Sequence, residues 1–155
     1  MSRLAIPIIG KTLWATGDVR LWADISLLMR DGSGQYQKVI FRVDAGTAIT
    51  TYPAYEAKQL GLVVPAGPAP ARHHPTGLEI RSGMLRFRIE GMDLTDYVVA
   101  CLFLGDPSVA PNPAQPATFP RKLLQPFALL DHLRFTIDHD PATGSMYGEL
   151  VIEKK

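Results

Sequence analysis

Residues 19 to 27 read Val-Arg-Leu-Trp-Ala-Asp-Ile-Ser-Leu, with Val19, Leu21, Ala23, Ile25 and Leu27 at every second position. Side chains alternate faces along a strand, so this run places the five on one face and Arg20, Asp24 and Ser26 on the other. A helix would scatter the same residues around its circumference. The pattern recurs. Val39, Phe41 and Val43 follow the turn signal Asp31-Gly32-Ser33-Gly34, which predicts a hairpin into a strand over 37–43. Leu85, Phe87 and Ile89 alternate with Arg86, Arg88 and Glu90. The turn Gly91-Met92-Asp93 then leads to an apolar run, Tyr97 to Leu104, that reads as a central strand. Leu133, Phe135 and Ile137 alternate once more. The turn-rich Asp140-Pro141-Ala142-Thr143-Gly144 precedes a last strand from about Tyr147 to Ile152.

Helix signals are few. Thr51-Tyr52-Pro53 reads as a helix entry, with Glu56 early, Lys58 late and Gly61 as the stop, predicting a short helix over 53–60. A second short helix is expected within 122–132, where Pro126 restricts its start. The Pro- and Ala-rich segments 64–75 and 106–120 read as loops. These elements predict a mostly-β chain with one or two short helices, folded as a single domain over 1–155 and closed into a barrel or sandwich.

At 155 residues, 46% hydrophobic and 20% charged, the chain can bury a core without cross-links. A net charge of +1 with mixed signs gives no electrostatic case for nucleic acid or an anionic membrane. Leu4 to Ile9 is short and broken by Pro7, so it is no targeting segment, and Tyr97 to Leu104 is too short to span a bilayer. A soluble, cytoplasmic protein is expected, since the lone Cys101 allows no intrachain disulfide and fits a reducing compartment. Cys101 sits in an apolar run and is expected to be buried and inert. Trp14 and Trp22 are assigned to core or interface packing. The pair His73-His74 has no third ligand at metal spacing and lies in a loop, so no metal and no cofactor are expected. Asp131 and Asp138 read as cap or turn residues.

The chemistry-bearing stretch is Val43-Asp44-Ala45-Gly46-Thr47. A strand delivers one carboxylate to its end, and a glycine two residues on lets the backbone turn under it. By itself, Asp44 also fits a carboxylate capping a turn, and Thr47 a hydroxyl bonding the local backbone. The stretch resembles the active-site loop of retropepsin-like (retroviral-type) aspartic proteases, which runs apolar residue, Asp, Thr or Ser, Gly, small residue. The resemblance extends to the helix ending Leu60-Gly61-Leu62. It continues to Leu123-Leu124-Gln125 followed by Leu133-Arg134-Phe135-Thr136-Ile137-Asp138, which is similar to the bacterial-type apolar-apolar-Gly, short helix and strand.

That resemblance implies a closed β-barrel with a flap hairpin around Thr76-Gly77 through Gly83, and a homodimer in which Asp44 of each copy forms the catalytic dyad. It implies a polypeptide substrate, hydrolysed by an activated water. Two residues depart from the pattern. Ala45 stands where the family has a hydroxyl that braces the paired loops, and Gln125 where it has glycine. Two alternatives stand beside the protease: the same fold kept as a peptide-binding or dimerisation module without catalysis, and an unrelated barrel with Asp-Gly turns.

Overall fold

A computed structural model of the chain describes residues 2–139 and 146–155. The turn expected at 140–144 lies outside the described residues. The strands are β1 (Arg3–Pro7), β2 (Ile9–Thr12), β3 (Val19–Arg30), β4 (Tyr36–Val43), β5 (Thr50–Pro53), β6 (Ala71–Arg72), β7 (Glu79–Ile89), β8 (Tyr97–Leu104), β9 (Leu123–Leu124), β10 (Leu133–Asp138) and β11 (Glu149–Lys154). One α-helix, α1 (Ala54–Leu60), and 3₁₀ turns at Pro116–Thr118 and Pro126–Leu129 complete the described elements. The chain is mostly β, as its periodicity predicts.

The hairpin β3–β4 pairs from Ala23↔Val43 to Arg30↔Tyr36. Its turn closes because the Asp31 carboxylate accepts from the Ser33 and Gln35 amides at 2.8 and 3.0 Å, and from the Ser33 hydroxyl at 2.6 Å. Gly34, at φ +87°, supplies the left-handed residue. From β4 the sheet continues through β9, β5, β8 and β7, and β7 pairs back to β3 at Leu27↔Ile89. The strands thus form a ring. Inside it lie Ile25, Leu27, Met29, Phe41, Phe87 and Phe103, each at most 1% exposed, apart from partners such as Ile89 at 2%. Phe41 and Tyr52 stack there at 5.4 Å. A separate sheet, β1–β11–β10, packs Leu133 and Ile152 against the same core.

Three features differ from the sequence reading. Residues 50–53 form strand β5, paired in parallel with β8 from Thr50↔Cys101 to Pro53↔Leu104, and the helix starts only at Ala54. The β-branched Thr50 and Thr51 suit a strand, and Pro53 caps the helix rather than starting it. The second helix is only a single 3₁₀ turn, Pro126–Leu129, with Pro126 at its first position, where a missing donor costs nothing. Finally, Val19 and Leu21 are 47% and 56% exposed although they share the apolar face of β3. The facing strand β4 ends opposite Ala23, and beyond it β3 pairs only with β2.

That β2–β3 hairpin carries Trp14 at its turn, 94% exposed, so it has no place in the core. Trp22 lies on the outer face of β3 beneath the Arg42 guanidinium, 4.5 Å from the ring centroid. Cys101 is buried on β8, and burial pushes its thiol up to about 12. The native protein should therefore be inert to a thiol-directed reagent at about pH 8, where an ordinary cysteine reacts, and become fully reactive in denaturant. A colour assay run with and without denaturant reads the difference. Among the described residues, no helix is long and apolar enough to cross a membrane.

Candidate active site

Asp44 follows the last residue of β4. Its position is fixed by β9, which lies beside β4 in parallel at Arg42↔Leu123 and Val43↔Leu124. The Asp44 amide donates to the Leu124 carbonyl at 3.0 Å, continuing that ladder one step beyond the strand. Asp44 Oδ1 accepts from the Gly46 amide at 2.8 Å. The carboxylate is therefore held by its own turn, as a cap would be, while its other oxygen makes no hydrogen bond to a described residue. The next residues, Ala45 and Gly46, are exposed, and the loop turns at the surface. A Cβ on Gly46 would stand 3.2 Å from Asp44 Oδ1, a tight approach that glycine avoids. Thr47 donates its hydroxyl to the Ile49 carbonyl at 3.0 Å, the local bond that its position in the sequence allowed.

No protein-family model and no curated protein matches the sequence. Among solved structures, the chain is similar to a retropepsin-like aspartic protease from Rickettsia conorii, with 15% sequence identity and a TM-score of 0.51. The likeness covers 97% of this chain and 89% of that one. The fold is retropepsin-like.

Within this retropepsin-like fold, Thr76 and Gly77 fall at the turn of the hairpin β6–β7, whose pairing runs Ala71↔Ile80 and Arg72↔Glu79. The strand begins at Glu79, so the hairpin turn spans 73–78 and ends short of Gly83. His73 Nδ1 lies 2.8 Å from the Thr76 hydroxyl, which ties the turn to itself, and His74 is exposed. Thr76 and His73 share a cavity of about 280 Å³ with Thr47, Pro116 and Phe119. The hairpin turn thus faces the loop of Asp44 across an open space. The Pro-rich segment 106–120, whose role the sequence left open, forms a wall of that space.

Gln125, the residue in place of the family's glycine, proves central to the loop. It is 7% exposed. Its amide nitrogen Nε2 donates to the Thr47 carbonyl at 2.5 Å, and Oε1 accepts from the Phe127 amide at 2.6 Å. Its backbone amide donates to Thr50 Oγ1 at 3.0 Å. One side chain therefore binds the Asp44 loop to the 3₁₀ turn behind it. Thr51 adds a second strut, its hydroxyl donating to the Arg121 carbonyl at 2.7 Å. Sequence reasoning missed Gln125, Thr50 and Thr51 as positioning groups. Only the polarity of Gln125 inside an apolar stretch signalled it.

Replacing Gln125 by Ala removes two side-chain bonds and leaves the Thr47 carbonyl and Phe127 amide short of a partner. The expected loss is about 1–3 kcal/mol of stability. Urea unfolding of the two proteins measures it, and equal midpoints would show that the strut carries no load.

Proposed function

We propose that the chain is an aspartic endopeptidase that works as a homodimer, each copy contributing Asp44 to one dyad. The observation that carries this reading is Asp44 itself. It stands at the end of a strand in a retropepsin-like fold, one oxygen held by the Gly46 amide, on an exposed loop below an open space lined by a hairpin turn. Only one such loop occurs in the sequence, so a pair of carboxylates requires a second copy on a two-fold axis. Ala45 and Gly46 are exposed, as is Phe127 at 62% on the 3₁₀ turn that Gln125 joins to the loop, which leaves a face for that copy. In this reading the strand ring is the family's closed barrel, and β6–β7, with Thr76 and Gly77 at its turn, is the flap that closes over an extended peptide.

Two carboxylates at close range share one proton, because both cannot comfortably ionise together. The ionised one takes a proton from a water whose oxygen adds to the peptide carbonyl carbon. The protonated one donates to the carbonyl oxygen. Collapse of the resulting diol breaks the C–N bond, and the amine leaves with a proton from the dyad. The protein supplies no covalent nucleophile in this scheme, and the substrate is a polypeptide.

A second reading, a peptide-binding or dimerisation module without catalysis, is favoured by Ala45. The missing hydroxyl withdraws about 0.5–1.5 kcal/mol of net hydrogen bonding per subunit from the paired loops. Gln125 offsets part of this by bracing each loop from within its own subunit. Cleavage of a peptide library, read by mass spectrometry at mildly acidic to neutral pH, separates the two. New termini from the wild type but not from Asp44→Asn support the peptidase. Silence from a folded dimer supports the module.

A further inference from the structure

An open groove beside Asp44, about 850 Å³, runs along the outer face of β2, β3 and β4 and is walled on its far side by residues 119–123. Its charge is one-sided. Lys11, Arg20, Arg42, Arg121 and Lys122 line it, against the carboxylates of Asp24 and Asp44. Two of the cations are already matched. Arg42 faces Asp24 at 3.7 Å, and Lys122 reaches Glu56, outside the groove, at 3.2 Å. Lys11 and Arg20 are cross-strand partners, a like-charge pair that costs stability where nothing lies between them. Neither they nor Arg121 form an ion pair with any described carboxylate, and all three are exposed. In a chain whose net charge is only +1, this concentration of unmatched cations lies against the candidate catalytic carboxylate.

We infer that the groove selects peptides with acidic side chains flanking the bond to be cut, their carboxylates bound between Lys11 and Arg20 on one wall and Arg121 on the other. The apolar part of the lining fits the same occupant: Ile40, 52% exposed, lines the groove with these charges and takes up the methylene stem of a glutamate. A lysine or arginine side chain entering here meets repulsion from both walls. The inference rests on Asp44 marking a peptide cleft, and its test is built to separate the two claims.

Binding is measured by fluorescence anisotropy on Asp44→Asn, which holds peptide without turning it over. The probes are a fluorescein-labelled Glu-rich peptide and its Gln counterpart of equal length, at about pH 6, above the ordinary Glu pKa of about 4.3. The expected Kd is about tenfold lower for the Glu peptide at about 0.1 M salt, shrinking towards parity near 1 M as the screening length falls to about 3 Å. Adding Arg20→Glu or Arg121→Glu should abolish the preference, and Arg121→Lys should retain it. If Arg121→Glu fails to fold, Lys11→Glu on the opposite wall makes the same test. Equal affinities, or a preference that survives charge reversal on both walls, overturn the inference. Library cleavage by the wild type with no enrichment of Glu or Asp also overturns it, yet leaves the endopeptidase reading intact. Glu-selective binding with no cleavage of any peptide sustains the groove and removes the peptidase.

Discussion

Asp44→Asn is expected to abolish peptide hydrolysis, lowering kcat/KM by at least about 10³-fold, while the thermal transition stays within a few degrees of wild type. Asn keeps an oxygen to accept the Gly46 amide, so the loop retains the bond that shapes it. What it loses is the proton-exchanging oxygen. In a symmetric dimer both carboxylates vanish at once, removing the base that activates water and the acid that polarises the carbonyl, where positioned proton transfer contributes about 10²–10⁴-fold. Wild-type activity should trace a bell with its maximum in the mildly acidic range. Activity falls at lower pH when both carboxyls are protonated, and at higher pH when the shared proton is lost. Steady-state assays over that range give both results. Retained cleavage in the purified variant would place the chemistry elsewhere.

Gly61→Ala is expected to cost about 3 kcal/mol or more, a large loss for so small a change. Gly61 ends α1 at φ +85°, a conformation that costs an L side chain about 1–2 kcal/mol. Space adds to this. A Cβ there would stand 2.6 Å from the Gly32 nitrogen and 2.7 Å from its Cα, both backbone atoms of the β3–β4 turn. The Gly32 amide donates to the Leu60 carbonyl at 3.0 Å, so the turn cannot withdraw without breaking that bond. The helix follows the Asp44 loop through β5 and carries Glu56, which pairs with Lys122 on the cleft wall. Movement at Gly61 is thereby felt at the site. For a chain of this size the loss corresponds to a Tm lower by about 6–12 °C. Scanning calorimetry with urea unfolding measures it. Gly17→Ala, at a turn with the same sign of φ but nothing within 4 Å of the added carbon, is the control that isolates the conformational part.

Sequence and structure agree best where one element is specified locally. The alternation in β3 and the Asp31 turn predict the same hairpin that the structure contains, because both depend on residues only a few positions apart. The position of Asp44 at the end of a strand was legible for the same reason: an apolar strand, a carboxylate and a glycine are neighbours in the chain. The likeness to a solved retropepsin-like protease agrees with that reading at the level of fold, while 15% identity explains why no motif beyond the short ones could carry it.

By itself the sequence determined a β-rich chain, the order of its long strands, the helix ending at Gly61 and the loop on which Asp44 sits. Each of these is written in side-chain periodicity or turn chemistry within one segment. The tertiary structure alone decided that β9, only two residues long, fixes Asp44 through the Leu124 carbonyl, and that β5 is a strand rather than a helix entry. It alone brought Gln125 to the Thr47 carbonyl, a bond between residues 78 positions apart, and Arg121 to the groove opposite Lys11 and Arg20. A two-residue strand has no period to detect. A buried amide or an unmatched cation declares its role only once the distant group it faces is in place.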